Sequence, residues 1–245
     1  MAKRKSRGEA VERLISVDSS NSDSENTAGS TSGCCFDAAV PRQPKKIDTK
    51  TFEHYLGILK KNFSKRKNPS FVFLDCLWFT LYMQKPTKER VLTWIKNKRI
   101  LTKKYVVVPI VCWSHWNLLI LCHLGGGSSQ SNTGTRCMLL LDSLLMSDPK
   151  RLEPDIRKFV MGIYEVENKP HKEAEVREIP LLIPKVPQQR NADDCGLFVL
   201  YFLKLFVQNA PVNFSHHGYP YFMKEDWFSH EDLDRFYSEL SQCSQ

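Results

Sequence analysis

Apolar residues along the chain follow two spacings, and the two alternate in blocks. Phe52, Tyr55, Leu56, Leu59 and Phe63 recur every three to four residues, which predicts an amphipathic helix from Phe52 to Phe63. Leu74 to Met83 predicts a largely buried helix, and Lys88 to Lys98 a second one with Val91, Leu92 and Ile95 inward. The β-branched run Tyr105 to Ile110 predicts a strand. His115 to Leu124 predicts another, and Arg136 to Leu145 begins as a third. A helix is expected over Ile156 to Tyr164, a short strand over Val176 to Ile183, and an apolar helix over Cys195 to Val207. The last segment has Ser229 as N-cap and Glu231 and Asp232 in the first turn, with Leu233, Phe236, Tyr237 and Leu240 inward. Together these predict an α+β domain with a small central sheet between helices.

Polar patterning sets the boundaries. Ser19 to Gly33 is almost wholly Ser, Asn, Asp, Glu, Thr, Gly and Ala, too little apolar area to offset chain entropy. Residues 1–48 therefore read as a disordered tail, with Pro41 and Pro44 marking a linker. Residues 49–245 read as one folded domain, roughly 195 residues and large enough for one core.

Composition changes the picture in three places. The longest apolar run, Leu197 to Leu203, stops at Lys204 and is far short of a membrane span. Met1 to Arg7 is basic with no apolar segment behind it, so no secretory signal is expected. The eight cysteines include no CxxC pair, and Cys76, Cys112, Cys122 and Cys137 sit in apolar segments. That pattern predicts reduced thiols in cytosol or nucleus and no zinc site. The net charge of +8 is concentrated at Lys60, Lys61, Lys65, Arg66 and Lys67 and at Lys96, Lys98, Arg99, Lys103 and Lys104. This is a solvated basic face or a docking surface for an acidic partner, and no nucleic-acid module accompanies it.

The candidate chemistry lies at element ends. A polar Gly/Ser stretch, residues 125–135, separates the strand opened by His115 from the strand closed by Asp142. Pairing of these strands as an antiparallel hairpin puts His115 and Asp142 near the same end of the sheet. A carboxylate there fixes the imidazole tautomer and raises the basicity of its other nitrogen. Cys195 stands where a polar loop enters an apolar helix, a position that favours thiolate. Gly196 keeps the backbone beside the sulfur open. Gln189, six residues before Cys195, can fold back and donate to an oxyanion together with the Cys195 backbone N–H. Nucleophile, base, orienter and oxyanion donor thus occur in one chain, each at an element boundary.

His115-Trp116, Asp142-Ser143 and the string Gln188-Gln189-Arg190-Asn191-Ala192-Asp193-Asp194-Cys195-Gly196 resemble the SUMO-specific, ubiquitin-like-protein processing cysteine proteases, over roughly residues 70–240. The resemblance implies a papain-like cysteine protease fold of the adenain-like branch, with a small, mostly antiparallel central sheet flanked by helices. It implies Cys195 as nucleophile, His115 as general base, Asp142 as its orienter and Gln189 as oxyanion donor. It also implies a narrow tunnel, closed by aromatic side chains, that only a Gly-Gly tail can thread, because glycine lacks a Cβ. Trp116 matches one wall, and Phe73 stands where the family has the Trp of the other.

The expected activity is cleavage after the C-terminal Gly-Gly of SUMO, with neither cofactor nor metal. The alternatives are the same chemistry on NEDD8 or ubiquitin, or a catalytically silent SUMO-binding module. Expected partners are SUMO or another ubiquitin-like protein and its conjugates, with no need for nucleic acid or membrane, acting on a monomeric enzyme. Leu14-Ile15-Ser16-Val17 followed by an acidic, Ser-rich run to Glu25 resembles a SUMO-interacting segment. Lys3 to Arg7 reads as a nuclear import signal or as a solvated basic terminus, and the expected location is nucleus and/or cytoplasm, with the nucleus favoured.

Overall fold

Phe71-Val72-Phe73, Tyr105 to Cys112, His115 to Cys122, Cys137 to Leu141 and Leu181-Leu182 form the five strands β1–β5 of a single sheet, in spatial order β1-β2-β3-β4-β5. The computed structural model describes residues 46–64, 70–126, 134–144, 148–168 and 173–243. All of these fall in one compact unit, residues 41–245. The predicted tail, with its segment 14–25, and most of the Gly/Ser stretch lie outside the described residues.

The centre of the sheet is antiparallel and its edges are parallel. β2 and β3 pair antiparallel from Tyr105↔Cys122 to Cys112↔His115, so two residues, Trp113 and Ser114, close the hairpin. β3 and β4 pair antiparallel from Leu118↔Leu141 to Cys122↔Cys137. β1 joins β2, and β5 joins β4, in parallel. Continuing the β3–β4 register puts Asp142 opposite Asn117, at the end of the sheet where His115 begins β3.

Helices cover both faces, which explains why β2, β3 and β4 read as nearly unbroken apolar runs. Helices α1 (Thr49–Ser64), α6 (Cys195–Asn209) and α7 (His230–Gln242) form one core with alternate strand residues such as Leu118, Ile120 and Leu139. Helices α2 (Trp78–Tyr82), α3 (Lys85–Lys98) and α4 (Glu153–Val166) form the other with Val108, Leu119 and Leu140. α6 is apolar on nearly every side and buries Phe198, Phe202 and Leu203 completely. Each such side chain contributes about 1.5–3 kcal/mol of burial. Ser229 caps α7 through a reciprocal capping box with Asp232. Among the described residues no helix is long and apolar enough to cross a membrane.

Two predicted elements differ. The stretch from Leu74 to Met83 is helical only over α2, Trp78–Tyr82. Before it, β-branched and aromatic Phe71-Val72-Phe73 adds to β2, Leu74 N–H donates to the Val107 carbonyl at 2.9 Å, and the Asp75 carboxylate turns the chain by accepting from Leu77 N–H. The expected strand over Val176 to Ile183 divides into helix α5 (Glu173–Arg177) and the two-residue β5. Pro180 has no N–H for a longer ladder, and Arg157 reaches the Val176 and Ile179 carbonyls between the two pieces.

Candidate active site

The site is assembled from three element ends. His115 is fixed by the tight β2–β3 turn before it, and Asp142 by the end of β4. His115 Nε2 donates to Asp142 Oδ1 at 2.7 Å, and both residues are buried. The same carboxylate oxygen accepts the Leu144 N–H at 2.9 Å, so the backbone also fixes its direction. Gln188 holds the segment from the other side, donating from Nε2 to the Asp142 carbonyl at 3.1 Å and the Val186 carbonyl at 2.9 Å.

With Nε2 given to the carboxylate, Nδ1 is the imidazole atom left for sulfur, and His115 is hydrogen-bonded to Cys195. Burial works against a charged imidazole. The hydrogen bond to Asp142, the one with Cys195 and the attraction of both groups together outweigh it and raise the His115 pKa to about 9. The imidazole is thus prepared to hold a proton beside the thiol at neutral pH.

Cys195 is the first residue of α6, so its sulfur lies at the end of the helix where backbone N–H groups have no intrahelical acceptor. The loop before it is stapled by one side chain. Asn191 Oδ1 accepts the N–H groups of Asp193 (2.9 Å) and Asp194 (3.0 Å), while its Nδ2 donates to Asp194 Oδ2 at 2.8 Å. Gly196 is needed for packing as much as for access. A Cβ there would stand 3.2 Å from the Ile47 Cβ and 3.3 Å from the Trp116 Nε1.

Gln189 is brought to the same place through Ser143, the neighbour of Asp142. Its backbone N–H donates to the Ser143 carbonyl at 2.8 Å, and its Oε1 accepts the Ser143 hydroxyl at 2.7 Å. The Asn191 carbonyl, which can only accept, settles which end of the amide is the donor. Gln189 Nε2 gives one hydrogen to the Asn191 carbonyl at 2.6 Å; the other is the candidate oxyanion donor. Sulfur, imidazole, carboxylate and amide therefore form one connected series, Cys195–His115–Asp142, with Ser143 linking to Gln189.

The two aromatic wall residues are placed differently from each other. Trp116 is buried, and its partner is Phe52 of α1, stacked at 4.2 Å and 15°. Phe73 is half-buried and stacks on Phe63 at 5.7 Å, with Lys60 Nζ 5.9 Å from its centroid. Four contributors were given no role at the site by sequence reasoning, which named them only as motif or helix positions: Ser143, Gln188 and Asn191 as scaffolding, and Phe52 as the ring on Trp116. For Asn191 a signal existed, since Asn before a helix start often closes such turns on backbone N–H groups. Ser143 and Phe52 act over long sequence distances and left none.

Among the described residues, one grouping has the donor types of a metal site, Glu53, Asp75 and Cys76, whose donor atoms lie within 4.8 Å of one another. Glu53 already accepts the Cys76 N–H at 2.8 Å, and burial followed by the nearby Glu53 pushes the Cys76 thiol far up. None of these residues belongs to the hydrogen-bonded series around Cys195.

Known proteins share this arrangement's fold and sequence. The chain is 29% identical over 185 residues to probable ubiquitin-like-specific protease 2A of Arabidopsis thaliana, covering 69% of this chain and 24% of that protein. It is 27% identical over 178 residues to sentrin-specific protease 7 of Mus musculus, covering 51% and 17%. The chain thus spans about a quarter or less of the length of these relatives. A solved de-sumoylating protease superposes with a TM-score of 0.63 at 19% identity, covering 81% of this chain and 79% of that one. The SUMO protease Ulp1 superposes with a TM-score of 0.51 at 20% identity, covering 70% and 71%. At these identities the superpositions establish the fold. The sequence pattern of the Ulp1 protease family, C-terminal catalytic domain, matches residues 47–244, and the chain belongs to that family.

Proposed function

We propose that this domain is a thiol peptidase and isopeptidase that cleaves after the C-terminal Gly-Gly of SUMO. The observation that carries the reading is the buried series Cys195–His115–Asp142 with the Gln189 amide oriented by Ser143. Cys195 sulfur, its proton held on His115, attacks the terminal glycine carbonyl. The oxyanion takes hydrogen bonds from the Gln189 amide and the Cys195 backbone N–H. His115 Nδ1 then hands its proton to the departing amine as the C–N bond breaks, leaving a thioester. Water, deprotonated by His115, displaces the sulfur and restores the starting state. Asp142 keeps the imidazole oriented and stabilises its charged form throughout.

The choice of SUMO is supported by the names of the relatives, among them a sentrin-specific protease and a de-sumoylating protease. A panel of SUMO, NEDD8 and ubiquitin carrying a C-terminal propargyl or vinyl-sulfone group tests it. SUMO should label Cys195 selectively, and Cys195→Ala should abolish labelling. Labelling by NEDD8 or ubiquitin alone would move the substrate. Tight SUMO binding without labelling or turnover would make the domain a silent binding module.

A further inference from the structure

The hairpin that presents His115 has an unexpected tip. Both turn residues adopt left-handed backbone, Trp113 with φ 52° and Ser114 with φ 61°. Two-residue hairpins that need positive φ at both positions favour Asn-Gly, because other side chains, bulky ones above all, crowd the backbone there. Trp113 nevertheless occupies the position, and 64% of it is exposed. Its ring is not filling the core. The Arg151 guanidinium carbon lies 4.4 Å from its centroid. Arg151 is itself exposed, on the turn of 3-10 helix Pro149–Leu152 that leads into α4. An indole and a guanidinium thus stand at the surface two residues from the general acid. Closing a hairpin requires neither.

The reaction geometry says what passes over this tip. A general acid must face the atom it protonates, so the leaving amine departs on the imidazole side of the sulfur. The β2–β3 turn joins directly to His115 and so lies on the imidazole side of the site, where the group attached to the amine leaves. We propose that Trp113 and Arg151 form a docking patch for the leaving protein, the segment that carries the modified lysine, and so make this domain selective among conjugates. The indole offers a face to an aliphatic side chain or peptide group of that segment. The guanidinium offers a charge-assisted partner to an acidic residue flanking the lysine. The patch would discriminate leaving groups and leave the choice of modifier to other surfaces. This rests on the isopeptidase reading above.

The test compares two substrates with the same modifier: SUMO bearing a C-terminal aminocoumarin, and SUMO joined to the lysine of an acidic acceptor peptide. Trp113→Ala should lower kcat/KM for the conjugate about tenfold or more relative to the aminocoumarin substrate, and Trp113→Phe should restore most of the ratio. Arg151→Ala should lower it less, and mainly for acceptors with an acid beside the lysine. Thermal melts of both variants should match wild type within a few degrees. Equal loss on both substrates, or no loss on either, would overturn the proposal. Wild-type protein that turned over neither would instead bring down the isopeptidase reading and the proposal with it.

Discussion

Strand β3 begins and ends beside a histidine, and the two make a controlled comparison. His115 and His123 are both buried, and both have left ordinary solvent. His115 donates to a carboxylate, and its pKa is raised to about 9. His123 accepts the Phe214 N–H at Nε2, 3.2 Å away, and its pKa is lowered by burial and by Lys104. The sulfurs repeat the contrast. Cys122 and Cys137 face each other in the β3–β4 register, and burial pushes the Cys122 thiol up. Cys195 sits at a helix start against an imidazole. One end of the sheet holds a histidine whose charged form is favoured by a carboxylate, and the other a histidine whose neutral form is favoured by burial. The partner decides, since desolvation acts at both ends.

The sharpest way to break this comparison is to exchange sulfurs. Cys195→Ala should reduce turnover by roughly 10⁴-fold or more, whereas Cys122→Ala should keep turnover within a few-fold and lower the melting temperature by a few degrees. Comparable activity losses would mean that the two ends are not functionally distinct. Next in size is Asp142→Asn, expected to lower kcat about 10³–10⁴-fold. It should also move the alkaline limb of the kcat/KM profile down from about 9, because the carboxylate that keeps His115 protonated has gone. A limb that stays in place would remove Asp142 from that role. Gln189→Ala should cost about 10²–10³-fold in kcat with KM little changed. Ser143→Ala should cost less than Gln189→Ala, since the amide is misoriented but present.

The smallest effect is on stability. The folded pKa of His115 is raised, so its contribution is complete below the unfolded value of about 6.5 and fades as pH rises through about 9. His123 has the opposite sign. Its folded pKa is lowered, so the unfolded chain takes the proton first and stability falls as pH drops below about 6.5. Melting curves against pH should show His123→Gln flattening the acid-side loss and Asp142→Asn flattening the alkaline-side loss. The reverse assignment would contradict the hydrogen bonds described.

What could be read from the sequence follows the range of the forces involved. The helices α1, α3, α4, α6 and α7 show their own 3.6-residue pattern, and the Ser229 cap lies within four residues of its partner. β1 was hidden because three residues carry no period, and the strand expected over Val176 to Ile183 shrank to the two residues of β5; each is a strand only through its parallel neighbour. At the site, Cys195, His115 and Asp142 could be picked out because each marks an element boundary, and Gln189 because it lies six residues before Cys195 in the same motif. The contacts that hold them could not. Ser143 meets Gln189 across 46 residues, and Phe52 meets Trp116 across β1, α2, α3 and β2. Trp113 was invisible for another reason, since exposure and a left-handed turn leave no trace in hydrophobic spacing.

Ile47 has a consequence beyond packing. Its side chain lies against Gly196, the residue beside Cys195, so the first turn of α6 rests on the chain just ahead of α1. Trimming the domain to begin at Thr49 would take that prop away and leave the sulfur's helix end less firmly seated.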